Sequence, residues 1–130
     1  MDERIWVLAS IALAGCAGDE PADTAPTFTE VRDEILLPSC GFSSCHGGGA
    51  GGLQLDEASA YANLVDAESA AAPGSILVVP GDPEDSYLMS KLEGGPMAVT
   101  DERMPPPSGG FDPAKIDQIR AWIAAGALDD

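Results

Sequence analysis

A chain of 130 residues with 22 acidic and only 6 basic side chains carries a formal net charge of −16. That field repels the phosphates of nucleic acids and the anionic lipids of a bilayer surface, and it attracts a basic protein partner. The length suits one small domain, but aromatic residues make up only 5% of it, so side chains alone give a thin core that a bound apolar cofactor would fill.

Ile5 to Ala14 form one apolar run, too short to span a bilayer as a helix and of the length expected for the hydrophobic region of a secretory signal. Arg4 precedes it, next to Asp2 and Glu3. The run ends in Leu13-Ala14-Gly15-Cys16, which resembles the bacterial lipobox, in which cleavage precedes a lipidated cysteine. The resemblance implies a signal peptide over 1–15, lipidation of Cys16, and a periplasm-facing lipoprotein of the cell envelope. Ala17 occupies the place where an Asp favours the inner membrane, and so leans toward the outer one. Each acyl methylene buried in the bilayer contributes about 0.8 kcal/mol to such an anchor. Residues Gly18 to Pro26 are acidic, contain proline and lack an apolar period, so 16–26 reads as a lipidated acidic tether to a domain over 27–130. An ordinary cleaved signal with a stray cysteine is the plainer alternative.

Within the domain, Thr27-Phe28-Thr29-Glu30 has the form of a capping box, and Phe28, Val31, Ile35 and Leu36 share one helical face. Pro38 is expected to stop this helix before Cys40. Asp56 is expected to cap a short helix through Val65, with Ala60, Tyr61, Leu64 and Val65 on its buried side. Ile76 to Val79 is a brief β-branched run stopped by Pro80-Gly81. Asp82-Pro83-Glu84-Asp85 has the cap, proline and acidic first turn of a helix start; Tyr87, Leu88, Lys91 and Leu92 carry that helix and Gly94-Gly95 ends it. A proline- and glycine-rich loop follows from Met97 to Gly110. Asp112-Pro113 then opens the last helix, with an apolar stripe of Ile116, Ile119, Trp122 and Ile123 and an end at Gly126.

The chemistry lies in Cys40-Gly41-Phe42-Ser43-Ser44-Cys45-His46. Covalent haem attachment uses two thiols, each adding its S–H across one vinyl group, and a histidine next to the second thiol that comes up under the iron. The usual pattern is C-x-x-C-H; this one is C-x4-C-H, so two extra residues must bulge between the thiols. The glycine-rich stretch Gly47 to Gly52 has almost no side chains and its backbone could lie close against a flat ligand; a plain flexible loop has the same composition.

From about Phe28 to Ala127 the sequence resembles the small single-haem c-type cytochrome domains of exported bacterial proteins. The resemblance rests on the first helix leading into the cysteine pair and His-Gly, on Val79-Pro80-Gly81-Asp82-Pro83 before a Ser-Tyr-Leu helix, on Arg103-Met104-Pro105-Pro106, and on Trp122-Ile123-Ala124-Ala125-Gly126-Ala127. It implies an all-α, cytochrome c-like fold of three to four short helices around one haem c, with long Gly/Pro-rich loops. It also implies a single-electron carrier rather than an enzyme. Carried over residue by residue, Cys40 and Cys45 hold the haem covalently, and His46 and Met104 are the axial iron ligands. The departure in spacing bears most on the Cys40 thioether.

Counting bears on the ligands independently. His46 is the only histidine, so the sixth ligand is a Met, a Lys or nothing. Met89 sits in a helix and reads as packing; Met97 is a loop residue and the runner-up; Met104 precedes three prolines that fix the chain. Histidine–methionine ligation raises the reduction potential, whereas a strongly acidic field favours the more positive Fe(III) and lowers it. The expected partner is another redox protein, with a basic docking face and no nucleic acid. Two other readings stand beside this one: a haem-based sensor or small-ligand binder with an open sixth position, and a structural lipoprotein with a Cys40–Cys45 disulfide and no haem. A zinc site is poorer, because two cysteines and one histidine leave the fourth ligand missing.

Overall fold

A computed structural model of the chain describes residues 25–97, 101–106 and 110–130. The signal peptide, Cys16 and nearly all of the tether lie outside the described residues.

The first helix, α1, runs over 28–40 as three consecutive stretches: α-helical Phe28–Glu30, a π turn over Val31–Leu36, and α-helical Leu37–Cys40. Its start is the expected capping box, with the Thr27 hydroxyl accepting from the Glu30 N–H and the Glu30 carboxylate accepting from the Thr27 N–H. Phe28, Val31, Ile35 and Leu36 are all buried. The end differs from expectation, because the helix passes through Pro38 and reaches Cys40. A proline ring inside an α-helix lacks an N–H and presses on the carbonyl four residues back. Here the helix has already widened, with the Leu37 N–H bonded to the Arg32 carbonyl five residues earlier, and Pro38 enters at the opening of a fresh α-helical turn.

The second helix, α2, is Ala60–Leu64. It is shorter than the Asp56–Val65 span expected. Asp56 instead builds the turn before it, its Oδ1 accepting from the N–H groups of Ala58 and Ser59 and from the Ser59 hydroxyl. The β-branched run forms no strand. Val65 bridges Val78 and Glu68 bridges Ile76, and these are the isolated β-bridges among the described residues.

The third helix, α3, is Tyr87–Glu93. It begins later than the Asp82-Pro83 signal suggests. The Ser86 side chain is buried; its hydroxyl donates to the Asp82 carbonyl at 2.8 Å and accepts from the Val79 N–H at 2.9 Å. These bonds close 82–86 into a separate turn. The carbonyls of Ile76 and Leu77 then accept the first N–H groups of α3, from Tyr87 and Leu88. Gly94 ends the helix with φ 79°, the left-handed conformation that glycine adopts without a Cβ penalty.

The fourth helix, α4, is Pro113–Ala124, capped as expected by the Asp112 side chain accepting from the Ala114 N–H. Ile116, Ile119, Trp122 and Ile123 are buried. α4 packs against α1 and α3. Arg120 on α4 pairs with Glu93 of α3 and with Glu84 before it. An aromatic hub joins the two ends of the domain. The Phe28 ring meets Tyr61 edge-on at 5.1 Å and Trp122 at 5.2 Å, while the Trp122 and Tyr61 polar tips donate to the carbonyls of Leu128 and Ala127. The described residues thus form a mostly helical, all-α domain, and no helix among them is long and apolar enough to cross a membrane.

Candidate functional site

Away from the aromatic hub, α1, α2, α3, α4 and the loops between them line an open cavity of about 710 Å³. That volume is in the range of sites for cofactor-sized molecules, roughly 300–1,000 Å³. Cys40 reaches it from the end of α1, Cys45 and His46 from the turn that follows, and Met104 from the proline-rich loop. Leu36, Leu53, Leu77, Leu88, Leu92, Phe111 and Ile119 give it apolar walls. Met97 packs against the core and Met89 is buried within it; neither lines the cavity.

The step from Cys40 to Cys45 is a compact loop. The Phe42 carbonyl accepts from the N–H groups of both Cys45 and Gly47, at 2.9 Å each. Gly47 and Gly48 press against its backbone: a Cβ on Gly47 would lie 2.2 Å from the Gly41 carbonyl oxygen, and one on Gly48 2.1 Å from that of Ser43. The two extra residues are therefore accommodated because two side-chain-free residues follow the histidine. Phe42 itself points outward and is 56% exposed. Cys40 and Cys45 are free thiols, and burial, with a smaller contribution from Cys45, pushes the Cys40 thiol above its ordinary pKa.

His46 is oriented by the loop it begins. Its Nδ1 lies 3.1 Å from the Leu53 carbonyl oxygen. A carbonyl only accepts, so this bond places the proton on Nδ1 and leaves the lone pair on Nε2. The Leu55 N–H donates back to the His46 carbonyl at 2.8 Å, and the Gln54 side-chain amide donates to the Gly47 carbonyl at 2.6 Å. These bonds tie both ends of the glycine-rich loop together. From Pro38 to Leu55 the only ionisable side chains are Cys40, Cys45 and His46, so this wall is uncharged in an otherwise acidic chain.

Met104 is held by α3. Its N–H donates to the Lys91 carbonyl at 2.7 Å, and the Arg103 side chain donates to the Leu92 carbonyl at 3.1 Å. Asp101 accepts from the Tyr87 hydroxyl, the Lys91 ammonium and the Glu102 N–H. Burial alone would push the Asp101 carboxyl up, but these hydrogen bonds outweigh it and hold the group below the ordinary carboxylate range.

The structure thus brings four residues singled out from the sequence, Cys40, Cys45, His46 and Met104, to one cavity, and leaves Met97 outside it. Sequence reasoning missed the Leu53 carbonyl and the Tyr87–Lys91–Asp101 cluster. Backbone acceptors carry no sequence signal, and Asp101 is one acid among 22. Among the described residues no group of three or more His, Cys, Asp or Glu could hold a metal ion through protein ligands alone. No family model matches the chain, and no curated protein or solved structure matches it either.

Proposed function

We propose that this chain is a lipid-anchored c-type cytochrome of cytochrome c-like fold that binds one covalent haem and passes single electrons between redox partners on the periplasmic side of the envelope. The observation that carries the reading is a cofactor-sized cavity lined by both domain cysteines, the only histidine of the sequence and Met104. The donor set fits the group. A bare zinc ion needs three or four protein ligands, whereas haem iron would need only two from the protein, and His46 and Met104 could supply them. Cys40 and Cys45 would hold the ring through thioethers, each thiol proton moving to the former vinyl group. His46 would offer Nε2, because Nδ1 is taken up by the Leu53 carbonyl. Met104 would offer a neutral sulfur from a loop tied to α3.

When bound, haem supplies a one-electron Fe(III)/Fe(II) couple. The chain's own contribution would be to place two ligands and to line much of the cavity with apolar side chains; the soft sulfur of Met104 would favour the reduced state and the acidic field the oxidised one. An acidic surface would steer a partner with a basic docking face, and Cys16 would hold the domain at the membrane.

The test is expression in a cytochrome-maturing host, acid–acetone extraction, and a pyridine haemochrome spectrum of the protein that remains. Retained haem is expected, and complete loss of haem to the solvent overturns the proposal. Cys40→Ser and Cys45→Ser variants each leave one thioether, which the haemochrome band position reads directly. Cys16→Ser should release the protein from membranes; unchanged fractionation overturns the anchor.

A further inference from the structure

We infer that Asp101 is a positioning residue for Met104: its carboxylate, gripped by Tyr87 and Lys91, fixes the methionine loop to α3. The inference rests on the haem reading and goes beyond it by naming what keeps the sixth ligand in place.

Residues 101–106 have no regular secondary structure, so their position depends on bonds to the body of the domain. The proline run after Met104 stiffens the loop, but stiffness sets a shape without attaching it anywhere. The attachments described above all land on α3: the Met104 N–H on Lys91, the Arg103 side chain on Leu92, and the Asp101 carboxylate on Tyr87 and Lys91. Tyr87 and Lys91 are four residues apart and so lie on one face of the helix. Lys91 is held twice, through its carbonyl by Met104 and through its ammonium by Asp101, which makes a closed ring of contacts around the ligand-bearing segment.

The ion pair lies at the cavity wall, largely shielded from solvent, with side chains 12% (Lys91) and 7% (Asp101) exposed. Desolvation makes such a pair a weak source of net stability, and apolar replacements often serve as well. Its geometric role is stronger: removing one partner leaves the other buried and uncompensated, so the loop must move. A thioether is a neutral ligand whose attachment to iron depends on where the protein holds it, so displacement of the loop is read out at the metal.

The experiment uses the haem-loaded protein with Asp101→Asn. Covalent haem content, by pyridine haemochrome, is expected to stay unchanged. The weak long-wavelength sulfur-to-iron charge-transfer band of the oxidised protein is expected to lose most of its intensity, and the reduced protein to gain carbon monoxide binding. Tyr87→Phe removes one of the two outside grips and is expected to give a partial loss; it decides the matter if Asp101→Asn does not fold. Combined with Met104→Ala, Asp101→Asn should cost the band nothing further, since both changes act on one ligand. Arg120→Gln cuts the ion pairs of α4 with Glu93 of α3 and with Glu84 in the turn before it, and should leave the band intact, which separates positioning from general loosening. A full band without carbon monoxide binding in Asp101→Asn and Tyr87→Phe overturns this inference alone, as does a loaded wild-type protein that lacks the band. A wild-type protein without covalent haem overturns both this inference and the functional reading.

Discussion

His46 donates its Nδ1–H to the carbonyl of Leu53, seven residues on, and that one bond sets both the tautomer and the direction of the imidazole. The residues between them include five glycines, so the arrangement relies on backbone bonds at the loop's two ends rather than on side-chain packing within it. If the chain holds haem as proposed, replacing the imidazole should leave a ligand position that a free imidazole can fill. In His46→Ala, a haem retained through its thioethers is expected to change its spectrum as imidazole is added. The wild-type spectrum should move far less at the same concentration. Titration followed by visible absorption checks this.

The glycines after His46 are not equivalent. A Cβ on Gly48 would sit 2.1 Å from the Ser43 carbonyl oxygen, whereas one on Gly51 meets nothing within 4 Å and is opposed only by a φ of +64°. Gly48→Ala should destabilise the domain by about 1–3 kcal/mol through overpacking and lower the yield of attached haem by displacing the loop between the thiols. Gly51→Ala should cost about 1–2 kcal/mol of backbone strain and leave attachment intact. Haem per protein, together with urea unfolding of each variant, separates the two.

Trp122 is the largest fully buried side chain among the described residues, and it contacts Phe28 while its indole N–H bonds to the Leu128 carbonyl. Trp122→Ala should lose roughly 3–5 kcal/mol of folding stability, seen as a lower urea midpoint. Trp122→Phe keeps most of the packing and gives up the hydrogen bond, so its midpoint should fall between those of wild type and Trp122→Ala.

Asp56 gives a pH signature. The hydroxyl and N–H of Ser59 donate to its carboxylate and hold its pKa below the ordinary value. A group depressed in the folded state binds fewer protons there than in the unfolded chain. It therefore contributes stability above the unfolded value of about 3.9 and loses that contribution as the pH falls through the lower folded value. Asp56→Asn should melt below wild type at neutral pH, and the gap should narrow as the pH drops under about 3.9. Thermal melts across that range check the sign; a gap that widens in acid contradicts it.

Where one local rule decides the conformation, the sequence was readable. The Thr27–Glu30 capping box, the Asp112-Pro113 start, the Gly94 stop and the stripe from Ile116 to Ile123 all lie where their residue types place them. Pro38 does not stop the helix, because the rule against internal proline presumes α geometry and the π turn before it changes that geometry. α3 starts later than the Asp82-Pro83 signal because Ser86 is bonded to both Asp82 and Val79, the latter outside any helix signal. Four chemically distinctive residues marked the site, but the parts that aim them did not stand out. Asp101 meets Tyr87 and Lys91 across 14 and 10 positions of sequence, and the match between the wide cysteine spacing and Gly47-Gly48 exists only once the chain has folded on itself.

The wide turn in α1 also sets an angle. An α-helix rotates about 100° per residue, and a π turn uses one residue more per turn, so everything after it is set back by roughly that rotation. Counted from Phe28, Cys40 arrives at the azimuth that an unbroken α-helix would give its neighbour Ser39. The turn works as a phase shifter between two tasks assigned to one helix. Its first half keeps Phe28 and Val31 on the core, and its second half delivers the Cys40 thiol to the cavity wall.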